Sequence, residues 1–141
     1  MLKILLAEWA RAKVTAKHVR HAVFIVEQNI AEADEWDDYD ENALHIVASI
    51  DGNPIGTARL TSEGTIGHMA VLKNFRNQGT GSGMMEQIIK TAKQSQIKEL
   101  SLHAQRSAEG FYVKHDFVID GDEFTQAGVP HITMKRVLMW Y

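Results

Sequence analysis

The feature that most narrows what this chain can become is a glycine-rich run, Arg76-Asn77-Gln78-Gly79-Thr80-Gly81-Ser82-Gly83. Before it, Thr65 to Val71 has strand character. After it, Met84, Met85, Ile88, Ile89 and Ala92 recur on one face of a helix. The order is therefore strand, glycine turn, helix. Glycine reaches backbone angles closed to other residues and lets a ligand approach the chain closely. The first N–H groups of a helix lack internal partners, and with the helix dipole they attract anions. Arg76 adds a positive charge beside them, so the turn is expected to hold a phosphate or pyrophosphate. A Walker A loop needs Gly-Lys-Ser/Thr, and no lysine follows these glycines. A Rossmann fingerprint needs Gly or Ala where Met84 stands. The competing reading is a turn that only starts a helix; the placement of Arg76 favours the anion site.

Around this turn the pattern predicts a mixed sheet flanked by helices. Leu2 to Leu6 reads as a first strand. Val19, Ala22, Val23 and Val26 give a helix from Thr15 to about Gln28. Glu32 to Glu41 is dense in carboxylates and is expected to be a solvated loop, with Trp36 and Tyr39 hinting that it packs down as a lid. Leu44 to Ile50, Ile55 to Leu60 and Thr65 to Val71 form three strands joined by turns at Asp51-Gly52-Asn53-Pro54 and Ser62-Glu63-Gly64. Glu99 to Ala104 is a further strand, Ser107 to Lys114 a short helix, and Phe117 to Ile119 and His131 to Leu138 two final strands. The fold class is α/β (α+β), a mostly antiparallel central sheet in the order β-α-βββ-α-β-α-ββ.

With 141 residues, 45% of them hydrophobic, the chain suits one domain over residues 1–141. No segment approaches the ~20 apolar residues of a membrane span, and the start lacks the apolar block of a signal peptide. There is no cysteine, hence no disulfide and no thiol nucleophile. These features point to a cytoplasmic protein. A net charge of −3 with scattered bases argues against nucleic acid as partner. His18 and His21 share a helix face, but no third ligand is near, so no metal is expected. The apolar end, Val137 to Tyr141, either packs in the core or pairs with a second subunit to give a homodimer.

Arg76-x-x-Gly79-x-Gly81 after Met69-Ala70-Val71, together with Phe111-Tyr112-Val113-Lys114-His115-Asp116-Phe117, resembles the GCN5-related N-acetyltransferases (GNAT). Val23 to Asn29 and Gly128 to Met134 resemble motifs of their small ElaA-like bacterial branch. The likeness spans nearly the whole chain. It implies a GNAT-like fold, acetyl-CoA as co-substrate and a primary amine of a small molecule as acceptor, attacked directly in a ternary complex. It also implies that Met69, Ala70 and Val71 pair with the pantetheine arm, that Arg76, Asn77, Gln78, Gly79, Thr80, Gly81 and Ser82 wrap the pyrophosphate, and that the strands around Val71 and Leu100 splay to admit the thioester. Asp116 departs from the family, which has glycine there; Asp tolerates the left-handed conformation that ends a helix better than most residues.

Acetyl transfer to an amine needs a neutral nucleophile, a donor for the oxyanion and a proton for the thiolate. Tyr112 matches the family's tyrosine and is the expected donor to sulfur, the alternative being a core aromatic. His131 is the candidate base, because a neutral imidazole can accept a proton at pH 7; a structural histidine bonded to backbone is the equal alternative. His45, His68 and His103 lie in strands, with His45 singled out by the branch. Glu27 and Gln28 at the end of the first helix, and Arg20 within it, are candidates to contact the acceptor amine or a carboxylate that it carries. The acidic stretch can draw in a cationic amine by its field. A catalytically silent acyl-CoA sensor of the same fold is the alternative reading.

Overall fold

A computed structural model describes residues 1–138. Eight strands form a single sheet: β1 (Leu2–Glu8), β2 (Leu44–Ile50), β3 (Asn53–Leu60), β4 (Thr65–Val71), β5 (Glu99–Gln105), β6 (Val118–Ile119), β7 (Phe124–Gln126) and β8 (Val129–Val137). The strand order is β1-β2-β3-β4-β5-β8-β6, with β7 paired to β8. Every pairing is antiparallel except β4 with β5. The helices are α1 (Trp9–Arg20), α2 (Glu32–Glu35), α3 (Thr80–Gln94) and α4 (Glu109–Lys114).

Period-two alternation gives the central strands two different faces. Ile46, Ala48, Ala58 and Leu60 pack with Met84, Met85 and Ile88 of α3 into the main core. Each such Ile, Leu or Met side chain, fully withdrawn from water, contributes about 1.5–3 kcal/mol. Gly83 lies against β1, since a Cβ there would come within 2.6 Å of Ile4 Cδ1. The opposite face carries His45, Thr57 and Arg59, which are polar and still buried. It is covered by α1 and the acidic segment, beside a smaller apolar cluster of Val19, Val23, Phe24, Ile30 and Ala70.

Three expectations are corrected. The first helix begins at Trp9, not Thr15; its N-cap, Glu8, makes no side-chain capping bond, so the usual start signal is missing. It also continues past Arg20 as a π-helical turn, His21–Glu27, closed by Gln28 N–H to Val23 O at 3.1 Å. The acidic stretch is not a solvated loop. It contains α2 and a 3₁₀ turn, Asp40–Asn42, and it buries Glu35 and Asp40. The chain closes with three strands, not two: β7 is short and polar, and it joins β8 through Ala127 (φ 53°) and Gly128 (φ 76°), a two-residue hairpin turn. Of the apolar C-terminal end, Leu138 packs in the core while Val137 is exposed; Met139, Trp140 and Tyr141 lie outside the described residues.

The end of α4 behaves as the sequence implies. Phe117 N–H bonds Tyr112 O at 3.1 Å and Asp116 N–H bonds Val113 O at 3.0 Å, the paired bonds of a Schellman motif, with Asp116 left-handed at φ 67°. Its side chain is exposed and only 4.0 Å from Arg136. Asp116→Gly is expected to raise stability by about 1 kcal/mol by relieving this backbone strain, seen as a rise in melting temperature of about 2–4 °C by calorimetry.

Candidate active site

Strands β4 and β5 pair only at Thr65 with Ser101 and Ile66 with Leu102, and then part. The opening is a cleft of about 700 Å³ whose lining includes Gln28, Arg59, His68, Met69, Tyr112 and His131. One of its walls is shaped by a bulge in β4. Thr57 faces Ala70 and Arg59 faces Gly67, so Ala58 is opposed by both His68 and Met69. His68 takes the left-handed conformation, φ 52°. Such a bulge leaves a residue out of the ladder and turns its backbone and side chain toward the opening.

Of the expected coenzyme residues, Met69, Ala70, Val71 and Arg76 line this cleft. The rest, Asn77 to Ser82, lie beyond it at the start of α3. Gly79 caps that helix at φ 87° with no side chain on the first N–H groups, and the first helical bond closes from Gly83 N–H to Gly79 O at 2.9 Å. The amides of Thr80, Gly81 and Ser82 therefore have no acceptor within the helix. A Cβ on Gly81 would lie 3.2 Å from the Phe111 ring, so a larger residue there would press on that ring. The Ser82 hydroxyl is engaged by His115 Nε2 at 3.0 Å, leaving its amide as the available group. Arg76 is not a free charge. Its Nε–H donates to Val71 O at 2.8 Å and its two terminal nitrogens grip Glu27 at 2.7 Å each.

That fork removes Glu27 from the acceptor pocket. The Arg76 hydrogen bond holds its carboxyl below the usual range, which makes it a poor base. Gln28 stays in the cleft, accepting from Gln105 Nε2 at 2.8 Å. Arg20 and His45 are also moved out of the acceptor site. Arg20 is 1% exposed, with Nε on Glu35 Oε2 (2.7 Å), Nη1 on Asp40 Oδ1 (2.8 Å) and Nη2 on the Glu35 carbonyl (3.0 Å). Trp36 stacks on it at 4.9 Å. His45 donates Nε2–H to Asp40 O at 2.9 Å and packs on Trp9 at 4.7 Å. Both hold the acidic segment down.

Tyr112 and His131 do reach the cleft. Burial pushes the Tyr112 phenol up to about 12, so it stays a neutral donor at any ordinary pH. His131 donates Nδ1–H to Val129 O at 2.7 Å and stacks on Phe124, an arrangement that leaves Nε2 as the acceptor nitrogen. Among the described residues, no three His, Asp or Glu side chains form a metal-holding group, and no helix is long and apolar enough to cross a membrane.

Arg59 was not anticipated. It joins Asp37 Oδ1 (2.7 Å) and Asp40 Oδ1 (3.1 Å) and so fixes the acidic segment as a cleft wall. The available signal was a lone charge in an apolar strand, in the same register as Thr57.

A family model described as the acetyltransferase (GNAT) domain matches residues 11–138. The chain belongs to the GNAT acetyltransferase family. A Bacillus subtilis (strain 168) relative named "Uncharacterized N-acetyltransferase YjcF" is 32% identical over 139 residues, which cover 96% of this chain and 99% of that protein. Among solved structures, an acyl-CoA N-acyltransferase from Pseudomonas aeruginosa matches with a TM-score of 0.86 at 25% identity, covering 97% of this chain and 100% of the other. Escherichia coli ElaA shares the fold with a TM-score of 0.85 at 24% identity, covering 96% and 99%. The splayed strands and the capless glycine turn are thus elements of a GNAT fold.

Two outcomes follow from the buried polar layer. Arg20→Met removes the buried guanidinium shared by Glu35 and Asp40 and is expected to cost about 3–5 kcal/mol in urea unfolding. Stability should also fall toward acid in two stages. Burial depresses His45, so its contribution is complete above ~6.5 and is lost as pH falls through its lower folded value. Asp37 is raised by burial but held lower overall by Arg59, and Glu27 is lowered by Arg76. Their contributions are present above ~4.5 and are lost below it, as the folded carboxyls protonate. Thermal melts from pH 8 to 3 should show both stages, and the first should disappear in His45→Gln.

Proposed function

We propose that this protein is an acetyl-CoA-dependent N-acetyltransferase acting on a primary amine of a small molecule, by direct attack in a ternary complex. The observation that carries the reading is a desolvated Tyr112, its phenol neutral at ordinary pH, in the cleft where β4 and β5 separate. The unpaired amides at Gly79 to Ser82 suit a pyrophosphate. The unladdered edge of β4 suits the pantetheine arm, and the β4 bulge offers a backbone donor where an oxyanion would form.

A lysine-like amine is mostly protonated at pH 7, a handicap of ~4–5 kcal/mol. His131, with its Nε2 left as an acceptor, can take a proton from nitrogen. The thiolate that leaves when the C–S bond breaks takes its proton from the Tyr112 hydroxyl.

Acetyl-CoA should raise the melting temperature while ATP and NAD do not. Mass spectrometry after incubation with a pooled amine library should reveal products heavier by one acetyl group. Tyr112→Phe should lower kcat by about 10²-fold with coenzyme affinity unchanged. Tight acetyl-CoA binding with no product from any amine would instead indicate an acyl-CoA sensor.

A further inference from the structure

We infer that His68 and Asp37 form the receptor for the acceptor's ammonium group, and that His68 Nε2 takes its first proton. This rests on the acetyl-transfer reading and assigns a step within it. The imidazole stands on the β4 bulge, in the cleft lining, held in place from one side only. Its Nδ1 lies 2.8 Å from Glu35 Oε2, the same oxygen that accepts Arg20 Nε–H at 2.7 Å. Phe24 meets it edge-on at 6.2 Å. With Nδ1–H donated to Glu35, the other nitrogen carries the lone pair.

What faces that lone pair is a second acceptor. Asp37 Oδ2 lies 3.5 Å from Nε2, too far for a direct hydrogen bond. The other Asp37 oxygen is occupied by Arg59 Nη1 and Tyr39 N–H. With the ring neutral, these two acceptors face the cleft side by side, and a ligand carrying more than one N–H can bond both. An ammonium supplies one N–H to Nε2 and another to Oδ2. The titratable groups around the ring are Glu35 from α2, Asp37 from the following loop, Arg20 from α1 through Glu35, and Arg59 from β3 through Asp37. One carboxylate bonds the ring and a second lies 3.5 Å from it, whereas both arginines act from behind them. A cationic ligand is therefore favoured beside the ring.

The proton balance calls for this group. An ammonium must lose two protons to become an amide nitrogen, and the thiolate regains only one. One N–H bond of the ammonium breaks, the electron pair stays on nitrogen, and the proton goes to Nε2. The imidazolium then has Glu35 and Asp37 on its two nitrogens. The neutral amine attacks the thioester carbon, a C–N bond forms and the C–S bond breaks. His131 takes the second proton from nitrogen and restores the one that Tyr112 gives to sulfur. His68 releases its proton to solvent. Glu35 and Arg20 never touch the acceptor; they position the ring.

The decisive experiment compares wild type with His68→Asn, using an amine found in the library screen, over pH 6 to 10. Asparagine tolerates the left-handed backbone and can still donate to Glu35, but it has no atom at Nε2. kcat/KM for the amine should fall about 10²-fold at pH 7. The deficit should narrow as pH rises toward ~10.4, because a growing share of the amine arrives already neutral. KM for acetyl-CoA should not change. Asp37→Asn should raise the amine KM about tenfold, and both variants should keep the thermal shift given by acetyl-CoA. A His68→Asn deficit constant across pH, or no deficit, overturns the role of His68 while leaving acetyl transfer standing. No turnover of any amine by wild type would sink both readings.

Discussion

Two buried arginines that tie an acidic segment to the sheet hold this molecule's cleft together. Arg20 comes from α1 and Arg59 from β3, and both reach Asp40, while Arg20 also holds Glu35 and Arg59 also holds Asp37. Carboxylates crowded into residues 32–41 would repel one another in isolation. Here each buried one finds a guanidinium with hydrogen-bonding geometry, so the segment folds inward and becomes a wall. The same contacts hold His68 and Asp37 in the lining of the cleft.

The backbone supplies the other half of the site by departing from regular structure at three places. The π-helical turn His21–Glu27 delivers Glu27 to Arg76 and Gln28 to the cleft. The β4 bulge inserts a residue opposite Ala58 and places His68 at positive φ. The parting of β4 from β5 creates the space between them. Each gives up ladder or helix bonds, and all three border the same cavity. This chain thus concentrates its irregularities around one cavity.

Much of this was readable from residues alone. Apolar alternation located the β2-β3-β4 meander, whose pairings are those expected. The glycine run fixed the start of α3, and Asp116 sits in the left-handed conformation that its place in the motif required. Tyr112 and His131 were legible through the family motifs and reach one cleft. Arg20, Glu27 and His45 were legible only as residues able to bind a ligand. Whether they face a ligand or one another depends on partners distant in the chain: Glu27 and Arg76 are 49 positions apart. Local pattern carries no information about such pairs.

The sequence by itself determined most element types, the glycine turn that opens α3 and the family, because those depend on period, glycine placement and short motifs that act over a few residues. Tertiary structure alone decided which charges are neutralised inside the protein and which remain for chemistry. That sorting depends on desolvation and on distances between segments. A carboxylate such as Glu35 is a solvated loop residue until Arg20 and His68 are brought within 3 Å of it.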